Sequence, residues 1–376
     1  MKENSSPAAD SSRLASNSLA ASYPRVTLPL RATNNLLVIA LSITICLLLP
    51  TFAAAKTQST FSGDIDFSFL YNKLAEDQNL YLFSSLLNLE VEKDESPWTF
   101  YISYQLTTVE DEGTDLDPYR YWARYTNDKA EVRLGMQKIV FGHTRYLRPL
   151  RLFDTINPND FLKKTAGTKS LQLKLFPRED LQIRTWTIYN ELEREDLHFG
   201  GRVNKVFQGG EAAFTFHHWE PDLNRLEEDI IGFDFFADVK IGLWLEHATH
   251  HVKEAADYSQ TTLGVDYTWP RIGNGLHASV EHMVTTDGDY AQTNRTSAFF
   301  FDTRLNDEDT LYGSYLYDHF LDVRFINMRV IRDVNERVNA ELGFDWVDKD
   351  PDELPPVTGQ VIPLRKGVTL RAVYSF

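Results

Sequence analysis

The sequence predicts an all-β fold, a transmembrane antiparallel β-barrel of about 18 strands, with about 16 as the alternative. Three observations point to it. Apolar and polar residues alternate in segment after segment, and period two is the side-chain period of a strand. The last ten residues, 367–376, alternate without a fault and stop on Phe376. Short turn signals alternate with longer charged connectors, as in barrels with short turns on one side of a membrane and long loops on the other.

The front of the chain supplies the export address. Residues 36–49 are an apolar run interrupted only by Ser42 and Thr44, with Arg25 and Arg31 before it and Ala53, Ala54 and Ala55 after it. A basic region, a short apolar core and a small-residue cleavage site describe a secretory signal peptide. Such a run is shorter than the roughly 20 residues of a spanning helix. Residues 1–55 are therefore read as a signal peptide with an atypically long N-terminal extension, and 56–376 as the barrel. The single cysteine, Cys46, falls inside the apolar run. Disulfides and thiol chemistry are thereby excluded from the exported part.

Aromatic content is 13%, yet mean hydropathy is −0.34. A barrel reconciles the two, because each lipid-facing residue is followed by one that faces a polar lumen. The formal net charge of −16 argues against nucleic-acid binding, for which a basic footprint is expected.

Taken in order, the apolar faces begin with Phe61–Tyr71 and Tyr81–Val91. Trp98, Phe100, Ile102, Tyr104 and Leu106 mark the third strand, the clearest of all. Residues 119–125 and 130–136 give the fourth and fifth, with Tyr119, Tyr121 and Tyr125 on the apolar face of the fourth. Leu171, Leu173 and Leu175 mark the sixth, followed by 181–189, 199–207 and 212–216. Ile231, Phe233, Phe235 and Ala237 define the tenth, then Ile241, Leu243 and Leu245 the eleventh. Segments 261–269, 276–280, 299–305, 311–317, 320–332, 338–346 and 368–376 complete the count. Between them, Asn127-Asp128, 177–180, 208–210, Asn306-Asp307 and Asn335-Glu336 are turn signals. The charged connectors 107–118, 191–198, 220–229, 248–257, 285–294 and 347–366 are expected at the other end. Trp98, Trp269, Trp346 and Tyr374 stand at strand ends, where aromatic rings suit a membrane interface. A large sandwich or a secreted all-β domain shares the period, and the leader, the terminal Phe376 and these ring positions taken together favour the barrel.

One segment, 139–169, breaks the rhythm. It is long enough to be functional, and it carries Phe141, Tyr146, Leu147, Leu150, Leu152, Phe153, Ile156 and Phe161. Apolar residues in a loop need a packing surface, and the barrel interior offers one, so the segment is expected to fold into the lumen and narrow it. Pro149, Asp154 and the run 157–160 favour a compact path. The run Arg133-Leu134-Gly135-Met136-Gln137, with Phe141-Gly142, Pro149, Leu152-Phe153-Asp154 and residues 156–160, resembles a pattern in Gram-negative outer-membrane porin-like barrels, including alginate-export-type channels. This chain has Phe141 where that pattern often carries Trp. The terminal Phe376, with Tyr374 two residues before it, resembles the C-terminal assembly signal of such barrels. The resemblance implies an outer-membrane channel, and the terminal signal implies the barrel assembly machinery as a partner.

Charge is unevenly spread. Residues 119–184 hold 14 basic and 6 acidic side chains against the acidic whole. Opposite the apolar faces lie Arg120, Arg124, Arg133, Lys174 and Arg184, and the connector adds Arg145, Arg148, Arg151, Lys163 and Lys164. Later strands place Asp234, Asp266, Asp302, Glu341 and Asp345 on the lumen side. These residues are the expected pore lining and constriction, since lumen charges tune selectivity. Arginine suits bidentate carboxylate recognition, so an anionic solute is one expectation and unselective solvated charge the other.

Motifs for hydrolysis, phosphate binding or zinc proteolysis are absent from the sequence. His247, His250 and His251 cluster in what reads as a loop beside Glu246 and Glu254, without a spaced metal-ligand set. Ser279 and His282 are the nearest approach to a nucleophile and base. His217 and His218 are adjacent on a strand, so they should point to opposite faces. No catalytic residue, metal or cofactor is assigned. The expected function is passive diffusion of small hydrophilic solutes, anionic ones among them, across the outer membrane of a Gram-negative bacterium. Outer-membrane lipid and the solutes are the expected partners, with a homo-oligomer possible. A structural or adhesion barrel with an occluded lumen is the alternative, and an outer-membrane hydrolase a third reading.

Overall fold

A computed structural model describes residues 57–72, 78–93, 96–109, 113–153, 165, 167–189, 197–221, 226–288, 293–349 and 366–376. The signal-peptide expectation, residues 154–160 and both Lys163 and Lys164 lie outside the described residues. The regular elements are 18 strands: β1 (Thr57–Asn72), β2 (Gln78–Lys93), β3 (Trp98–Val109), β4 (Gly113–Thr126), β5 (Ala130–Gln137), β6 (Thr168–Arg178), β7 (Leu181–Tyr189), β8 (Leu197–Phe207), β9 (Gly210–Trp219), β10 (Glu228–Asp238), β11 (Gly242–Val252), β12 (Tyr258–Trp269), β13 (Leu276–Asp287), β14 (Thr293–Arg304), β15 (Asp309–Asp318), β16 (Val323–Asn335), β17 (Val338–Val347) and β18 (Gly367–Ser375). Each pairs antiparallel with its neighbours in sequence, and β1 also pairs with β18. The sheet therefore closes, which leaves no edge strand. At the seam Asp64 stands opposite Ser375, and Gly63 and Phe376 exchange backbone hydrogen bonds of 3.1 and 3.0 Å.

The two faces of the wall are inverted relative to a soluble domain. Phe214, Leu263, Leu342, Phe100 and Leu370 are at least half exposed, and all lie on one side of their strands. Their neighbours in sequence, such as Ala213, Thr262, Glu341, Thr99 and Thr369, are buried. An exposed apolar outside and a polar inside suit a wall whose outer solvent is hydrocarbon. Trp98, Trp269 and Tyr374 are exposed near the end that carries the terminus. There Trp98 meets Tyr125 edge-on at 5.2 Å and Tyr267 meets Trp269 at 4.8 Å.

Among the described residues the register shifts at three places, between Ser103 and Tyr104, between Leu175 and Arg178, and between Asp333 and Asn335, and the first of these displaces an expected residue. Ser103 pairs with Arg120 and Tyr104 with Pro118, so Tyr119 is an extra residue in β4. That bulge takes Tyr119 off the exposed apolar face, and the residue is buried. Several connectors are also shorter than the sequence suggests. β3 and β4 leave only 110–112 between them, and β11 runs on to Val252. Strands continue past the membrane-facing residues, where the outward side no longer needs to be apolar and the alternation fades.

Candidate functional site

The inward face of β4–β8 is a field of like charges. Arg124 stands directly opposite Arg133, Lys174 opposite Arg184, and Arg184 opposite Arg202. Like charges in direct cross-strand register are destabilising. Little offsets them locally. Glu131 bonds Lys174 at 2.7 Å and Arg133 at 3.2 Å. Arg124 donates to Thr99 Oγ1 at 3.0 Å, and Arg120 donates to the Thr165 carbonyl. Arg133 stacks over Trp122 with 4.5 Å to the ring centroid, and Arg184 lies 5.6 Å from the centroid of Phe141. Stacking holds the guanidinium planes while leaving their edge N–H groups for a ligand.

The acidic residues of the facing arc are largely compensated. Asp234 takes both nitrogens of Arg202, at 2.5 and 2.8 Å. Asp345 takes Arg329 at 2.9 Å, and Glu341 takes Arg329 at 3.1 Å and Arg371 at 3.6 Å. Asp302 and Asp266 flank His277 at 2.9 and 3.4 Å.

The connector between β5 and β6 packs against inward-facing side chains. Tyr146 and Leu147 join a buried cluster with Met283, Phe300, Leu316 and Phe325. Ile139, Phe141 and Leu150 join another with Trp186, Ile188 and Ile230. Two carboxylates hold the backbone between these clusters. Glu246 Oε1 accepts the Thr144 N–H at 2.8 Å. Glu281 accepts the N–H groups of Arg145, Tyr146 and Leu147, at 2.6, 2.9 and 2.9 Å. Gly142, at φ 78°, turns left-handed so close to the Glu246 carboxylate that a Cβ would collide with it. Gly232 on β10 leaves the space that Leu150 fills.

Burial shifts the connector's own titrating groups. It pushes the Tyr146 hydroxyl up to about 12. It lowers the Arg145 guanidinium, against the opposing pull of Tyr146, Asp302 and Glu281. Arg145 is also held over the Phe300 ring, 3.2 Å from its centroid. Burial lowers His143 too, with Glu211 and Asp234 acting the other way. Arg148 donates to the Phe141 carbonyl at 3.2 Å, and Arg151 is exposed.

Some sequence expectations change. The segment 139–169 ends earlier, because β6 begins at Thr168. His247, His250 and His251 lie on β11 rather than in a loop, so alternation divides them. His250 is buried against Glu228 at 2.7 Å, His247 bonds Thr261 on the other face, and His251 is exposed beside Asp257. Ser279 is buried and His282 exposed, on opposite faces of β13. His282 instead bonds Ser297 at 3.0 Å, and among the described residues no carboxylate bonds that imidazole. Arg202, Arg329, Arg371, Glu246 and Glu281 escaped the sequence reading. Arg202, Arg329 and Arg371 lie within segments that already read as strands, and Glu246 and Glu281 one position past theirs.

No protein-family model matches the chain, and no curated protein does. Solved structures do. The chain superposes on Pseudomonas aeruginosa OprD with a TM-score of 0.59 and 10% identity, over 85% of this chain and 95% of that one. The fold is that of the OprD/Occ outer-membrane porins. OccD3 (OpdP) of the same organism gives a TM-score of 0.58 at 7% identity, over 85% and 91%. OccK2 (OpdF), solved in complex with glucuronate, gives 0.58 at 8%, over 85% and 97%.

Proposed function

We propose that this protein is an outer-membrane channel for passive diffusion of small hydrophilic solutes, with a preference for anions. The observation that carries the preference is the basic arc, where Arg124 faces Arg133 and Lys174, Arg184 and Arg202 stand in line across three strands. Glu131 and Asp234 offset Arg133, Lys174 and Arg202, so a further anion would relieve the row at Arg124 and Arg184. Guanidinium groups offer paired donors that match a carboxylate. The resemblance of the segment from Arg133 through the connector to alginate-export-type channels, and the glucuronate bound to the similarly folded OccK2, favour acidic sugars and related carboxylates within that class. The residues proposed to line the path are Arg120, Arg124, Arg133, Lys174 and Arg184, joined by Arg202, with the connector as the constriction. Lipid covers the apolar outside, and Phe376 serves as the handle for barrel assembly.

Single-channel recording in planar bilayers under a salt gradient tests this. Stable open steps with a reversal potential of anion-selective sign are expected. Arg133→Glu with Arg184→Glu should move the selectivity toward cations. A silent barrel would favour the second reading, a structural barrel occluded by the buried Leu147 and Leu150. An open but unselective channel would leave the arc without a solute role.

A further inference from the structure

We propose that His143, Glu211 and Asp234 form a binding site for a divalent transition-metal ion that ties the connector to the wall at β9 and β10. One donor atom from each residue lies within 4.8 Å of the others, and His143 Nε2 is already 3.0 Å from Glu211 Oε1. Neighbouring ligands around such an ion sit about 3 Å apart when its bonds are about 2.0–2.2 Å. The site therefore needs only a small swing of the Asp234 carboxylate.

Its parts are held in place from outside. The His143 ring stacks on Phe236, centroids 4.5 Å apart and planes nearly parallel, and Phe236 is the ladder partner of Glu211. The other oxygen of Glu211 accepts from Asn204 at 3.1 Å, which leaves Oε1 turned toward the imidazole. Arg202 bonds Asp234 and would remain its partner once one oxygen turned to the ion. Hydrogen-bonded carboxylates of this kind are what orient a ligand set.

A second, independent observation concerns the carboxylates of this corner. Asp234 stands directly opposite Glu246 across the β10–β11 ladder, both inward and both buried. Glu246 Oε2 is buried without a hydrogen-bond partner. Glu211 adds a third carboxylate to this corner, while Arg202 is the guanidinium that pairs directly with Asp234. Opposed carboxylates are destabilising, and a divalent ion would neutralise the excess. One imidazole with two carboxylates suits zinc and its first-row neighbours better than calcium or magnesium, which prefer all-oxygen shells. His143 and Glu211 are both about a quarter exposed, so water can reach the ion and complete its shell.

Calorimetric titration of zinc chloride into the folded full-length barrel in detergent tests the site. It reads binding without conduction, so it can fail or succeed independently of the channel reading. One saturable zinc site per barrel is expected, with no comparable binding of magnesium. His143→Ala should abolish it, and Glu211→Gln should weaken it by about ten-fold or more. Heat-modifiable migration on gels confirms that each variant is folded. Should one variant misfold, the other decides. No saturable zinc binding, or binding unchanged in the folded variant, overturns the proposal, the latter by placing the metal elsewhere, such as at His250 and Glu228.

Discussion

A single carboxylate, Glu281, accepts three successive backbone N–H groups of the connector. Removing it orphans all three donors, and each buried unsatisfied group costs about 1–3 kcal/mol. Glu281→Ala should therefore free the connector. Limited proteolysis would report new cleavage between residues 142 and 152, in a barrel that still migrates as folded. Glu281→Gln keeps one acceptor oxygen and should show an intermediate cleavage rate. Tyr146 gives the same region a pH limit. Its hydroxyl is held at about 12 by burial, against about 10 in an unfolded chain. An acid whose folded value is raised contributes fully below the unfolded value, and that contribution is lost as pH rises from about 10 through 12. A two-unit shift on this buried side chain amounts to about 2–3 kcal/mol. Connector protection from protease should fall over that window in the wild type, and Tyr146→Phe should flatten the fall. Neither residue's role was legible in sequence. Glu281 lies one position beyond the apolar run of its strand, and a carboxylate that caps a loop more than 130 residues away leaves no local mark.

At the scale of elements, the alternation in the sequence located every strand but not where each one ends. The period is imposed by lipid on one side and water on the other, so it is strong mid-strand and weak beyond the membrane. That is why β11 reaches through His247, His250 and His251, which read as loop, and why Tyr119 was assigned to the wrong side of a bulge. The connector was legible as an apolar segment in search of a surface, but its partners were not, because they come from strands across the barrel. Gly232 makes this dependence testable. A larger residue there takes the space of Leu150. Gly232→Val should push the connector off β10 and change the single-channel conductance, while the strand, rich in β-branched and aromatic residues, still forms. An unchanged conductance would mean that the connector does not set the bore.

At the scale of the whole molecule, the charge pattern proved only half readable. The basic residues of β4–β7 stood out because little nearby opposes them. The acidic arc looked equally strong in sequence, yet Arg202 pairs with Asp234, and Arg329 and Arg371 with Glu341 and Asp345, through contacts between strands. The terminus was the most legible feature, and its place at the seam explains why. Phe376 completes the hydrogen bonds to Gly63, and its ring sits where a Cβ on that glycine would be. Truncation of Phe376 should slow barrel formation from urea into detergent micelles, followed by heat-modifiable migration, with a smaller effect on the assembled barrel.

The seam joins the first strand to the last, and a ribosome makes them in that order. Until β18 can pair with β1, the sheet carries two bare ladder ends. Such a polypeptide offers two templates for strand pairing. Whatever covers those two ends before closure also keeps one unfinished chain from pairing edge-to-edge with another.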